Sequence, residues 1–136
     1  MRKILLFSIG LTFLRLISYG QEDPATEPTW THTYLIAKEG QRVNLRTFLV
    51  KNWLAMDSVA VAQGLFKSYQ LYENNQVQDA DWDYMVAVEY FTRGTFSDIA
   101  DEWGIIRSNH ETVLIEGLGF QELGSVVRSE ELLETK

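Results

Sequence analysis

The sequence has no cysteine, and its only two prolines, Pro24 and Pro28, fall in the first quarter of the 136 residues. Without cysteine there is no disulfide framework, so packing alone must hold the fold. Lipid attachment through an N-terminal cysteine is closed as well. Basic residues are scarce, twelve against nineteen acidic. An excess of negative charge repels nucleic acid and anionic head groups, whose binding depends on basic phosphate contacts. No nucleophile elbow, glycine-rich phosphate loop or HExxH pattern occurs, which leaves hydrolase and nucleotide-binding readings without support.

What is present begins with an export leader. Arg2 and Lys3 form a basic start, Ile4 to Leu14 an apolar run, and Ser18 and Gly20 the small residues of a cleavage site, which places cleavage between Gly20 and Gln21. Arg15 ends the apolar run short of the ~20 residues that span a bilayer, so a signal peptide of residues 1–20 is expected rather than an anchor. Periplasmic or secreted localisation is the expectation, with no stable membrane anchor after cleavage. Three of the twelve basic residues leave with the leader; nine remain against nineteen acidic, a net charge near −10 on 116 residues. That is one domain's length. With 46% hydrophobic and 12% aromatic residues, most of it is expected to fold.

Residues 21–30, with both prolines, read as a linker and residues 31–136 as the domain. Thr31 to Lys38 reads as a first strand. From Asn44 to Ala62, Leu45, Phe48, Leu49, Trp53, Met56 and Ala60 recur at helical spacing, with Asn44 placed to cap and Gly64 to stop the helix. Phe66 to Glu73 and Trp82 to Thr92 read as an antiparallel hairpin. Thr95 and Asp98 make a capping-box pattern before a second helix running to Asn109. Val113 to Leu118 reads as the fourth strand, with a further short strand near Val126 and Val127. The order is that of a ferredoxin-like βαββαβ fold: α+β, with a four-stranded antiparallel sheet and two helices on one face. Strand three is apolar or aromatic on both faces, and the face away from the helices therefore needs a cover; a second copy of the chain supplies one.

Several residues carry candidate chemistry. His32 and His110 suit proton transfer near neutral pH or axial ligation of haem, although two histidines are too few for a zinc site. Trp53 and Trp103 lie on the apolar stripes of their helices and are expected to meet over the sheet. An apolar pocket there could take polar handles from the hydroxyls of Tyr69, Tyr84 and Tyr90. Glu89 stands in mid-strand, where burial would make it a base; pairing with Lys67 or Arg107 is the plainer expectation. Asp79, Asp81 and Asp83 match the opening of a calcium loop, but Tyr84 and Tyr90 occupy the positions that need Gly and Glu. A solvated acidic turn is expected and no metal site is assigned.

Trp53, Met56, Asp57 and Gly64, then Tyr69, Leu71 and Tyr72, then WDYMVAVEY from Trp82 to Tyr90, together resemble the dimeric α+β barrel superfamily. The similarity is to its NIPSNAP-like and antibiotic-biosynthesis-monooxygenase-like domains and to exported relatives of them. It covers roughly Thr31 to Leu118, and extends to Arg128, Ser129 and Glu130. The resemblance implies a homodimer with sheets face to face and a cavity between sheet and helices. It does not bring the Asn, Trp and His set of the enzymatic members: Asn52 and Trp53 are adjacent on a helix, and no helical His comes after them. The expectation is an exported domain binding a small apolar or aromatic ligand at His32, Trp53, Tyr69, Tyr84, Trp103 and His110, with no cofactor assigned. The alternatives are a cofactor-independent monooxygenase or haem-handling enzyme, and a structural dimerisation module.

Overall fold

A computed structural model describes residues 30–76, 80–91 and 96–133, the side chains of 96–98 excepted. The expected leader, the expected linker up to Trp30, Asp79 and the expected Thr95 cap lie outside the described residues. The order is β1 (Trp30–Ala37), α1 (Arg42–Phe48), a π-helical turn (Leu49–Trp53), α2 (Leu54–Ala62), β2 (Phe66–Glu73), β3 (Tyr84–Tyr90), α3 (Phe96–Asn109), α4 (Phe120–Leu123) and β4 (Gly124–Leu132). The four strands form one antiparallel sheet ordered β2-β3-β1-β4, with the helices packed on it. This is the expected α+β class and strand order. Among the described residues no helix is long and apolar enough to cross a membrane.

Period-two alternation decides which side chains meet the helices. Leu35 on β1 and Tyr84, Val86 and Val88 on β3 are buried with Leu45, Phe48, Leu49, Ala60 and Leu123. Met85, Ala87 and Glu89 therefore point to the open face, with His32 and Gln70 opposite Ala87 in register. The ambiguity of strand three is thus resolved. Val86 and Val88 look inward.

Three sequence expectations change. Val113 to Leu118 is not a strand: Glu116 and Gly117 both have positive φ, 52° and 77°, and Ile115 and Leu118 exchange backbone hydrogen bonds of 3.0 and 2.9 Å across them. Two consecutive positive φ values make a tight reversal, which an extended segment cannot contain. The fourth strand is instead Gly124–Leu132, an edge strand whose Arg128, Glu130 and Glu131 hide its alternation in the sequence while discouraging edge-to-edge pairing. The first helix starts at Arg42, not Asn44. Gln41 is its cap residue, and Asn44 donates to Gln41 Oε1 (2.9 Å) and Glu116 Oε2 (3.1 Å). Gly64 stops α2 as expected, at φ 74°.

Candidate ligand cavity

The π-helical turn sets the geometry of the site. One extra residue per turn rotates α2 relative to α1, and the side chains on either side of the turn serve different neighbours. Asn52 is 2% exposed. Its Nδ2 donates to Phe48 O and Val113 O (both 3.0 Å), while Oδ1 accepts from Val113 N (2.8 Å) and lies 3.0 Å from His110 Nε2. Two carbonyls on the amide nitrogen fix its orientation, so His110 must donate through Nε2. His110 is thereby an anchor for the loop after α3. Trp53, one residue on, stacks against Phe120 (5.4 Å between centroids) and turns to the sheet.

Between α2, α3 and the sheet lies a cavity of about 320 Å³. Thr31 and Thr33 of β1, Val86, Val88 and Tyr90 of β3 and Phe66 of β2 form its floor; Met56 and Asp57 of α2, with Trp53 before them, and Trp103 and Arg107 of α3 form its roof. Trp103 packs on Phe66 at 4.9 Å, and Phe66 meets Tyr90 edge-on at 5.3 Å. Trp53 and Trp103 thus share the cavity, each held by another ring. Tyr90 accepts a hydrogen bond from Thr31 Oγ1 (3.3 Å).

Asp57 is the unusual member. It stands four residues after Trp53 and three before buried Ala60, so helical periodicity carries it inward. It is 5% exposed, and its Oδ2 has no hydrogen-bond partner among the described residues. Burial pushes its carboxyl up from 3.8 to about 7. Such a group holds or releases a proton in neutral water. In the sequence Asp57 belongs to the family resemblance but not to the six candidate ligand residues. Its signal is one acid on an otherwise apolar stripe.

No family model, curated protein or solved structure matches the chain.

Of the six residues singled out from sequence, Trp53 and Trp103 come together in the cavity. Tyr69 lines a separate groove with Arg46, Val50 and Leu54. Tyr84, 1% exposed, donates to Arg42 O (3.0 Å) beyond the cavity, and burial raises its hydroxyl pKa. His110 is the loop anchor, and His32 faces away from the helices. There, Trp30, His32, Tyr34 and Trp82 form a ladder of edge-on rings 5.4–6.5 Å apart. Arg128 lies over Tyr34 (3.9 Å) and pairs with Asp81 (2.9 Å) and Glu130 (3.0 Å). Asp83 accepts from Ala37 N (2.7 Å) and pairs with Arg42 (3.3 Å). Two of the three alternating aspartates thus serve ion pairs within the chain. Glu89 accepts from Lys67 (2.5 Å) and Ser68 (2.7 Å), and these two bonds, Lys67 foremost, lower its pKa. It is paired, as the plainer expectation held.

Proposed function

We propose that the protein is an exported domain of dimeric α+β barrel type that binds a small ligand between its sheet and its helices. The observation that carries this is the aromatic cavity with one buried carboxyl group in its lining, whose Oδ2 has no hydrogen-bond partner among the described residues. Apolar concavities with a few polar groups are the usual form of small-molecule sites, and 320 Å³ lies at the lower end of their range. The family resemblance supports the same location. The leader supports action outside the cytoplasm.

The homodimer belongs to this reading, with the open sheet face as its interface. The ring ladder and Met85 supply an apolar centre, and Arg128, Glu130, Asp81 and the Lys67–Glu89 pair supply a charged rim, the usual anatomy of a protein interface. An enzymatic reading has one observation in its favour, the carboxyl of Asp57 held near neutrality, where general bases work best. Neither His32 nor His110 lines the cavity, so neither serves there as an axial ligand of haem.

Native mass spectrometry of protein purified from its own host tests the proposal. It should show a dimer carrying a small organic adduct that is released on denaturation. A ligand-free monomer at micromolar concentration would overturn both parts.

A further inference from the structure

We infer that the cavity recognises a protonated amine, with Asp57 as the anionic anchor and Trp53, Phe66, Tyr90 and Trp103 as the aromatic walls. The inference rests on the ligand-binding reading above and gives it a ligand class. A buried carboxylate is stable only when something compensates its lost hydration. Asp57 lacks a compensating group: Oδ2 is unpartnered and no ion pair joins Asp57 to a basic residue among the described residues. A ligand ammonium supplies both the charge and the N–H donors that are missing. A neutral ligand supplies at best a donor, and an anionic ligand adds repulsion.

The walls agree with this choice. Aromatic faces attract organic cations through their quadrupoles, more strongly when water is excluded, and four rings line this cavity. The chain carries a formal charge of −7, a field that draws cations in. The volume suits a compact amine with one ring or an aliphatic body of similar size.

Among the described residues that line the cavity, Asp57 is the one carboxylic acid. β1 contributes Thr31 and Thr33 and β2 contributes Phe66, none of which ionises. β3 contributes Tyr90, whose hydroxyl is held neutral by burial first, with the charges of Asp57 and of Glu131 on β4 acting in the same direction. α3 contributes Arg107, which is exposed. The bound amine requires the carboxylate, so its affinity should rise with the ionised fraction of Asp57. With the carboxyl at about 7, that fraction changes about twentyfold between pH 5.5 and 7.5.

Three probes of matched shape test this: phenethylamine, 2-phenylethanol and phenylacetate. Each is titrated into the purified protein at pH 7.5 and 5.5, with calorimetry and the indole N–H resonances of Trp53 and Trp103 as readouts. The amine should bind at least tenfold more tightly than the alcohol at pH 7.5, lose about twentyfold at pH 5.5, and release protons on binding. Phenylacetate should bind weakest. Asp57→Asn should bring the amine down to the level of the alcohol while the alcohol binds as before, which also shows that the variant cavity is intact. If the alcohol matches the amine, or the amine ignores pH, the amine assignment falls and the ligand-binding reading stands. If none of the probes moves either indole, both fall. The wild-type comparisons decide the matter even if Asp57→Asn does not fold.

Discussion

Replacing Asp57 with Asn should make the ligand-free protein more stable at alkaline pH relative to wild type, and burial determines the size of the effect. In the unfolded chain the carboxyl loses its proton near its ordinary value of 3.8; in the fold it keeps it to about 7. Between those values the folded state binds the extra proton, so stability falls as pH rises through the window and stays low above it. The interval from 3.8 to about 7 corresponds to about 4 kcal/mol at about 1.4 kcal/mol per tenfold. Part of this loss is already complete at pH 5. From pH 5 to 8.5 the remaining loss is about 2.7 kcal/mol.

Asn has the same shape and does not titrate. Its amide, if unpartnered, costs about 1–3 kcal/mol, but equally at every pH. The diagnostic quantity is therefore the slope of the difference between the two proteins, in which the titration of every other group cancels. Urea unfolding at pH 5, 6, 7 and 8.5 should show the variant gaining about 2.7 kcal/mol on wild type across the series. Parallel stability curves would refute the reasoning and return Asp57 to the status of an ordinary, solvated carboxylate.

Asn52→Leu should cost about 2–4 kcal/mol in the same urea assay, because it strands His110 and both backbone groups of Val113 at a site only 2% exposed. Gly124→Ala should cost about 1–3 kcal/mol; its Cβ would stand 2.6 Å from the carbonyl oxygen of Ile36 and 2.8 Å from Leu45 Cδ2, and the backbone atom cannot swing aside. The open-face dimer is tested by light scattering on two neighbouring variants. Met85→Asp, on the open face and only partly buried, should give a folded monomer, whereas Val86→Asp, whose side chain enters the cavity, should lose the fold's circular-dichroism signature. A dimeric Met85→Asp would move the interface elsewhere.

The elements legible in the sequence were those whose periodicity is set by a single buried face. The first helix shows its stripe because Leu45, Phe48, Leu49 and Ala60 all enter one core, and β2 is bounded as expected because a turn glycine precedes it. β4 is legible only as a short strand near Val126 and Val127, and its full extent from Gly124 to Leu132 is hidden for a physical reason. As an edge strand it buries only Gly124, and Arg128 and Glu130 serve the open face, so no alternation of apolar and polar residues survives. The segment Val113 to Leu118 misled in the opposite way. Its apolar letters suggest a strand, while its geometry is decided by Glu116 and Gly117, two residues whose positive φ apolar patterning cannot report. The extra residue in the turn at Leu49–Trp53 was equally hidden, since backbone winding leaves the spacing of hydrophobic residues almost unchanged.

The site was half legible for a related reason. Trp53 and Trp103 could be placed because large apolar side chains on a helix stripe must face the sheet. Asp57 obeys the same periodicity but does not stand out, because a carboxylate reads as solvated by default. The default fails here because three and four residues away on either side stand Ala60 and Trp53, so the helix cannot turn Asp57 out without exposing them. Keeping an unpartnered acid at that position costs the fold about 4 kcal/mol at neutral to alkaline pH, a large fraction of the 5–15 kcal/mol by which domains are stable. A neutral residue of similar size would remove that cost, and stabilising replacements of this kind are easy to reach. Where local consistency is broken at such expense, the broken position marks a site used for something other than folding. That reasoning ties the stability experiment to the binding one: the same ionisation that weakens the empty domain creates the charge a bound ammonium would neutralise. An amine that binds at Asp57 should accordingly flatten the fall in stability between pH 5 and 8.5, and a saturating amine that left the slope unchanged would separate the two effects and sink the connection.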